Sequence, residues 1–127
     1  MIVVDTSALM AILLNEPEAS YLSDRLANSP RLLMCAGTLA EALIVAQRRN
    51  LLDELMQMIE GLNFEVINLT YQSSKRVAQA YAQWGKGTHP AGLNFGDCFA
   101  YVLAKEHQCE LLYVGQDFNK TDTITSV

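Results

Sequence analysis

MIVVDTSALMAILL, residues 1–14, reads as a short buried strand running directly into a helix. Met1 to Val4 are apolar and mostly β-branched, which suits a strand covered on both faces. Asp5 or Thr6 then stands where a helix N-cap belongs, ahead of a run of good helix formers. The same alternation continues along the chain. Glu16-Pro17-Glu18 opens a second helix reaching about Asn28, since proline is tolerated in a first turn, and Asn28-Ser29-Pro30 breaks it. LLMC, residues 32–35, is a second strand. Gly37-Thr38 starts a long helix through TLAEALIVAQRR, and after Asn50 a further helix covers LLDELMQMIEGL.

Asn63 to Leu69 alternates polar and apolar residues and predicts a third strand. Thr70 caps a helix to about Trp84. Residues 85–92, GKGTHPAG, form a loop by their three glycines and one proline. Residues 96–107 predict another helix, Glu110 to Val114 a fourth strand closed by Gly115, and residues 123–126 a weak last strand. Short apolar strands alternating with helices indicate an α/β layer fold with a parallel sheet. In such folds ligands gather beyond the carboxyl ends of the strands, where the strand order switches.

The chain has 127 residues, half of them hydrophobic, and fits one domain, residues 1–127. There is no low-complexity tract, charge block or internal repeat. Cys35, Cys98 and Cys109 have no metal-ligand spacing and no even pairing, so they are expected as small core residues in a reducing compartment. The start lacks a basic segment, Asp5 interrupts its apolar run, and no 18-residue apolar stretch occurs, so no signal peptide, membrane span or membrane partner is expected and the location is cytoplasmic. A net charge of −5 is a poor footprint for nucleic acid, with only nine scattered basic residues. Any nucleic-acid chemistry must be local, or assisted by a metal or partner.

The informative charges are solitary ones. Residues 1–15 contain one charge, Asp5; residues 32–47 contain one, Glu41; and LNFGDCFAYVLA, residues 93–104, contains one, Asp97. Asp117 follows the fourth strand by a short turn. Each lies at a strand end or an early helix turn, so in a parallel sheet all would share one edge. Asp5 and Asp97 are each also plausible as plain helix caps, Glu41 as a solvated helix residue and Asp117 as a turn residue. Independent caps have no reason to fall together on one edge. Clustered carboxylates repel and raise one another's pKa unless a cation binds. A hard divalent ion, Mg²⁺ or Mn²⁺, takes such oxygen ligands and phosphate as well, and supports phosphodiester hydrolysis.

VVDTSAL at the start, TLAEAL in the middle, and NFGDCFAYVLAKEHQCELLYVGQDFNKTD near the end resemble, in order and spacing, the PIN-domain ribonucleases. More closely they resemble the VapC toxins of bacterial type II toxin–antitoxin pairs, over essentially the whole chain. The resemblance implies a three-layer α/β/α sandwich around a parallel sheet and a Mg²⁺- or Mn²⁺-dependent endoribonuclease. It matches Asp5, Glu41 and Asp97 to the first three acids, which would hold the metal. Asp117 matches the fourth, as a further ligand or a bridge to a second ion. Thr6 and Ser7 match hydroxyl positions near the metal or phosphate, and Asn94 a polar position before the third acid. Related toxins often carry two acids where this chain reads Gln116-Asp117, which leaves Asp117 or Asp122 as the fourth acid.

The resemblance also implies an RNA substrate, a VapB-like antitoxin whose tail packs in an apolar groove, and a homodimer. The early helices carry many large apolar residues, from Leu9 to Leu14 and from Leu51 to Ile59, more than one small face would bury. Methionine-rich helices of this kind suit adaptable binding surfaces or a core. His89 is a candidate RNA contact in its loop, and His107 a helix-terminal residue favouring the dipole. Tyr71, Tyr81, Trp84 and Tyr101 fit packing better than base stacking. Arg48, Arg49, Lys75, Arg76 and Lys86 are candidate phosphate contacts, most of them expected as solvated surface. The rival reading is a catalytically inactive PIN-like module that binds RNA or protein. An aspartyl-phosphate phosphatase needs a second Asp two residues after its nucleophile, and here Asp5 is followed by Thr6 and Ser7. A flavodoxin-like receiver needs paired acids after its first strand, which are absent.

Overall fold

The computed structural model describes residues 1–125. Its elements are β1 (Ile2–Val4), α1 (Thr6–Leu13), α2 (Ala19–Ala27), β2 (Leu32–Cys35), α3 (Ala36–Arg48), α4 (Leu52–Gly61), β3 (Glu65–Ile67), α5 (Tyr71–Trp84), α6 (Phe95–His107), β4 (Glu110–Leu112) and a 3₁₀ turn, Phe118–Lys120. The four strands form one parallel sheet in the order β3-β2-β1-β4. From β1 the chain steps outward to β2 and β3, then returns across the sheet to place β4 on the other side of β1. The order therefore switches between β1 and β4.

Alternation along each strand builds a core on both faces, because successive side chains point opposite ways. Ile2, Val4, Leu32, Met34 and Leu112 pack with Leu9 of α1, Leu22 and Leu26 of α2, Ala42 and Ala46 of α3, and Leu55 and Ile59 of α4. Val3, Leu33, Cys35 and Leu111 pack on the other face with Val77 and Ala80 of α5, the buried stripe of α6 and Phe118. Helices on both faces make the three-layer α/β/α sandwich.

The strands are shorter than the apolar runs suggest. β3 pairs only with β2, from Leu33↔Glu65 to Cys35↔Ile67, and pairing stops where its partner stops. β4 ends at Leu112 because β1 ends at Val4; the next free donor, the Val114 N–H, goes to Ser7 Oγ at 3.0 Å. α2 begins at Ala19, one turn later than Glu16-Pro17 suggests. Residues 123–125 form no strand, although Leu111 N–H donates to the Ile124 carbonyl at 3.0 Å; position 126 of that expected strand lies outside the described residues. α3 and α4 are followed by Asn50 and Asn63 at φ 58° and 54°, left-handed positions that asparagine tolerates.

The early helices spend most of their apolar surface inside. Leu9 and Leu55 are fully buried, Met10 and Ile59 nearly so, and Ile12, Leu13, Leu51 and Met58 are partly buried against the same core. Met56 is exposed. Cys35 and Cys98 are buried and Cys109 half-buried, all as free thiols. No described helix is long and apolar enough to cross a membrane.

Candidate active site

Asp5 ends β1 and caps α1, so its backbone conformation is set by the strand-to-helix junction itself. Its Oδ2 accepts from the Ser7 N–H at 3.1 Å and from Ser7 Oγ at 2.7 Å. Ser7 Oγ also takes the Val114 N–H, and the Asp5 N–H donates to the Leu112 carbonyl at 3.0 Å. Ser7 thus stitches the ends of β1 and β4 together at the switch point and holds one oxygen of Asp5. The other oxygen, Oδ1, is buried and has no hydrogen-bond partner among the described residues. The residue is only 3% exposed. Burial pushes its pKa up to about 7, the Ser7 bonds pull against that, and the charges of Asp97 and Glu41 add to it.

Asp97 stands in the first turn of α6 without being its cap. Asn94 is the cap: its Oδ1 accepts from the Asp97 N–H at 2.8 Å, and Asp97 Oδ2 accepts from the Asn94 N–H at 3.0 Å. This reciprocal box fixes the carboxylate and gives Asn94 a definite role. Burial pushes Asp97 up to about 6; the Asn94 bond opposes it, and Asp117 and Glu41 reinforce it.

Glu41 reaches the same edge from the second turn of α3. A Cβ on Gly96 would meet Glu41 Oε2 at 2.1 Å, and one on Gly37 would meet the Phe99 ring at 2.8 Å. Two glycines, one on each helix, therefore let α3 and α6 approach and let the Glu41 carboxylate lie on the α6 backbone beside Asp97. Neither glycine was singled out for this from sequence; the available signal was a glycine inside a helical pattern. Asp117 precedes the 3₁₀ turn, is exposed, and makes no cap bond to it. Gly115, at φ +111°, makes the turn that brings the chain there.

The acids at positions 5, 41, 97 and 117 thus meet at the carboxyl edge of the sheet, and none forms an ion pair among the described residues. Asp122 does not join them: Tyr101 OH donates to its Oδ1 at 2.6 Å and Lys105 Nζ to its Oδ2 at 3.0 Å. Thr6 Oγ1 donates to the Thr38 carbonyl at 3.3 Å, tying α1 to α3 rather than reaching Asp5. His89 is engaged locally, its Nδ1 accepting from the Ala91 N–H at 2.9 Å and its ring edge-on to Trp84 at 4.7 Å. Arg48, Ile44 and Phe95 line a cleft of about 460 Å³ with Glu41.

A hard divalent cation fits this donor set. Every acid offers oxygen, the buried Asp5 Oδ1 lacks a partner, and mutual repulsion is left uncompensated. Among the described residues no three acidic, histidine or cysteine side chains close directly on one point. That spacing suits an ion that retains several waters and takes only one or two carboxylates directly, as Mg²⁺ does.

The PIN domain family matches residues 2–124. Ribonuclease VapC28 of Mycobacterium tuberculosis is 40% identical over 123 residues, covering 94% of this chain and 92% of that protein. In fold, the chain is similar to Mycobacterium tuberculosis VapC20, described as a sarcin–ricin loop cleaving toxin, with a TM-score of 0.79 at 14% identity over 98% and 97% of the two chains. It is also similar to a chain of a toxin–antitoxin complex from Klebsiella pneumoniae, with a TM-score of 0.75 at 18% identity over 99% and 97%. The chain belongs to the PIN-domain family, a family of nucleases, and within it to the VapC ribonucleases. Divalent-metal use is general to that family.

Proposed function

We propose that this chain is a cytoplasmic endoribonuclease toxin that hydrolyses RNA phosphodiester bonds with Mg²⁺ or Mn²⁺ at Asp5, Glu41, Asp97 and Asp117. The observation that carries the proposal is the buried Asp5, one oxygen without a partner, among three further acids that form no ion pair among the described residues. A bound divalent ion supplies Lewis acidity toward the scissile phosphate. The chain's own residues prepare for it. Ser7 orients Asp5, Asn94 orients Asp97, and Gly96 makes room for Glu41. Arg48, beside Glu41 in the cleft, is placed to meet a neighbouring phosphate.

The toxin role and a VapB-like antitoxin follow from membership among the VapC proteins and from the fold shared with a toxin–antitoxin complex. Surface chemistry supports protein partners, the antitoxin and a second copy of the chain. Phe95 is 69% exposed and Ile44 52% exposed, large apolar side chains flanking one cleft.

The test is cleavage of RNA by chelator-stripped protein, with Mg²⁺ or Mn²⁺ added back and Asp97→Asn run beside it. Cleavage restored by metal and missing in the variant is the expected result. Cleavage indifferent to both would overturn the site. Metal-induced stabilisation without cleavage of any RNA supplied would favour the inactive binding module.

A further inference from the structure

Asp117 sits in a segment with little regular structure of its own. Between Gly115 and Thr123 the only element is the three-residue turn Phe118–Lys120. Something outside that segment must set where Asp117 stands relative to Asp97. Two anchors do so. The first is Phe118, 3% exposed, which plugs into the core and packs on Tyr113 at 5.0 Å between ring centres. The second lies five residues beyond Asp117, where side chains of α6 hold Asp122.

Asp97, Tyr101 and Lys105 are spaced at i, i+4 and i+8 on α6, so they lie along one stripe of that helix. Asp97 heads the stripe at the acidic edge. Tyr101, buried, donates its hydroxyl to Asp122 Oδ1 at 2.6 Å and accepts from Trp84 Nε1 at 3.0 Å. Lys105 donates to Asp122 Oδ2 at 3.0 Å. The helix that carries Asp97 thus also grips the segment that carries Asp117. Both oxygens of Asp122 are engaged in that grip. The Lys105 pair is half-exposed on both sides, and exposed pairs hold weakly; the Tyr101 bond, charge-assisted and partly buried, is the stronger member. Between the anchors, Thr121 Oγ1 donates to the Phe118 carbonyl at 2.7 Å and takes the Thr123 N–H at 3.1 Å, which fixes the spacing from Phe118 to Asp122.

We infer that Tyr101 and Asp122 form a clasp that positions Asp117 against Asp97, making both positioning residues for the metal edge, with Asp117 rather than Asp122 as the fourth acid. This rests on the proposed metal site. Clasp and site are tested together by Mn²⁺ affinity, read from the electron paramagnetic resonance of free Mn²⁺, with melting temperature measured for every variant.

Asp117→Asn is expected to weaken Mn²⁺ binding roughly tenfold, in the range seen when groups supporting a metal site are removed. Tyr101→Phe and Asp122→Asn, which keep side-chain size, are each expected to weaken it severalfold. In an Asp117→Asn background the same two changes should add less than about twofold, because a residue acting through Asp117 has nothing left to act on. Equal weakening in both backgrounds would overturn the clasp and indicate general loosening. So would a loss in Asp122→Asn as deep as that of Asp97→Asn with Tyr101→Phe silent, since Asp122 would then itself be a ligand. Silence of Asp117→Asn alone, with Asp5→Asn and Asp97→Asn both damaging, overturns the clasp and leaves the metal site standing. Silence of all three overturns the metal site and the clasp with it.

Discussion

The two ends of one sheet treat their carboxylates in opposite ways. At the amino ends of the strands, Glu65 opens β3 and is held by Arg31 through two bonds of 2.8 and 2.9 Å. Glu110 opens β4 and meets Arg25 at 2.7 Å. At the carboxyl ends, the acids at positions 5, 41, 97 and 117 share an edge with no ion pair among the described residues. The chemistry follows the pairing. Arg31 holds Glu65 below the ordinary carboxylate range, while burial and neighbouring acids push Asp5 and Asp97 above it. A matched pair contributes to holding a fold. An uncompensated cluster costs stability until a cation arrives, so one end holds the fold together and the other is the edge proposed to bind the metal.

That contrast predicts that the two ends respond oppositely to neutralisation. Asp5→Asn should abolish metal-dependent cleavage, by about a thousandfold or more if the ion supplies several kcal/mol in the transition state. In the absence of metal it should not lower the melting temperature and should raise it above about pH 5, because unfolding of the parent then gains the ionisation of an Asp5 that the fold keeps protonated, and the variant has no such group to ionise. A metal-free variant that unfolds more easily than the parent at neutral pH would break the comparison.

The pH dependence has a definite sign. Asp5 is held near 7 and Asp97 near 6, both above the ordinary 3.8. Between those values the folded, metal-free protein retains protons that the unfolded chain releases. This contribution is complete below about pH 4 and is lost as the pH rises toward 7. Melting curves in chelator should therefore show stability declining across that window, and saturating Mg²⁺ or Mn²⁺ should flatten the decline. The groups acting on Asp5 and Asp97 are each other, Glu41, Asp117, Ser7 and Asn94, and the acids among them push the same way as burial; Arg48 lines the cleft that Glu41 lines.

Gly96→Ala sharpens the comparison without removing a charge. The new methyl would fall on the Glu41 carboxylate, the movable end of a side chain. Cleavage should drop roughly tenfold to a hundredfold, in line with disturbing the support of a metal site, with little change in melting temperature. A large loss of stability with normal cleavage would show that the glycine serves helix packing alone. At the other end, Arg25→Ala should cost about 1–3 kcal/mol, because it leaves a half-buried Glu110 carboxylate without its donor, while cleavage stays at the parental level. Arg31→Ala, at an exposed pair, should leave both melting temperature and cleavage unchanged within error.

Much of this was readable in the chain. Short apolar runs between helical segments gave the parallel sheet, and acids isolated in apolar segments marked Asp5, Glu41 and Asp97. Asp5 shows why single-residue readings compete: one oxygen makes an ordinary helix cap, and the other, at the proposed site, has no partner among the described residues. Elsewhere a local reading was incomplete. Asp97 had the look of a cap, yet Asn94 caps α6 and braces Asp97. The apolar excess of the early helices suggested an open partner surface, yet Leu9, Leu55 and Ile59 are core.

What the sequence by itself determined are features with short-range causes. Strand and helix periods, N-caps and lone charges each express the preferences of a few neighbouring residues. Tertiary structure alone decided how close α3 comes to α6, through Gly37 and Gly96. It also decided which late acid is free, because the partners of Asp122 lie 17 and 21 residues earlier on a packed helix. Those outcomes depend on which surfaces meet in three dimensions, and the spacing of residues along a chain carries no direct record of that.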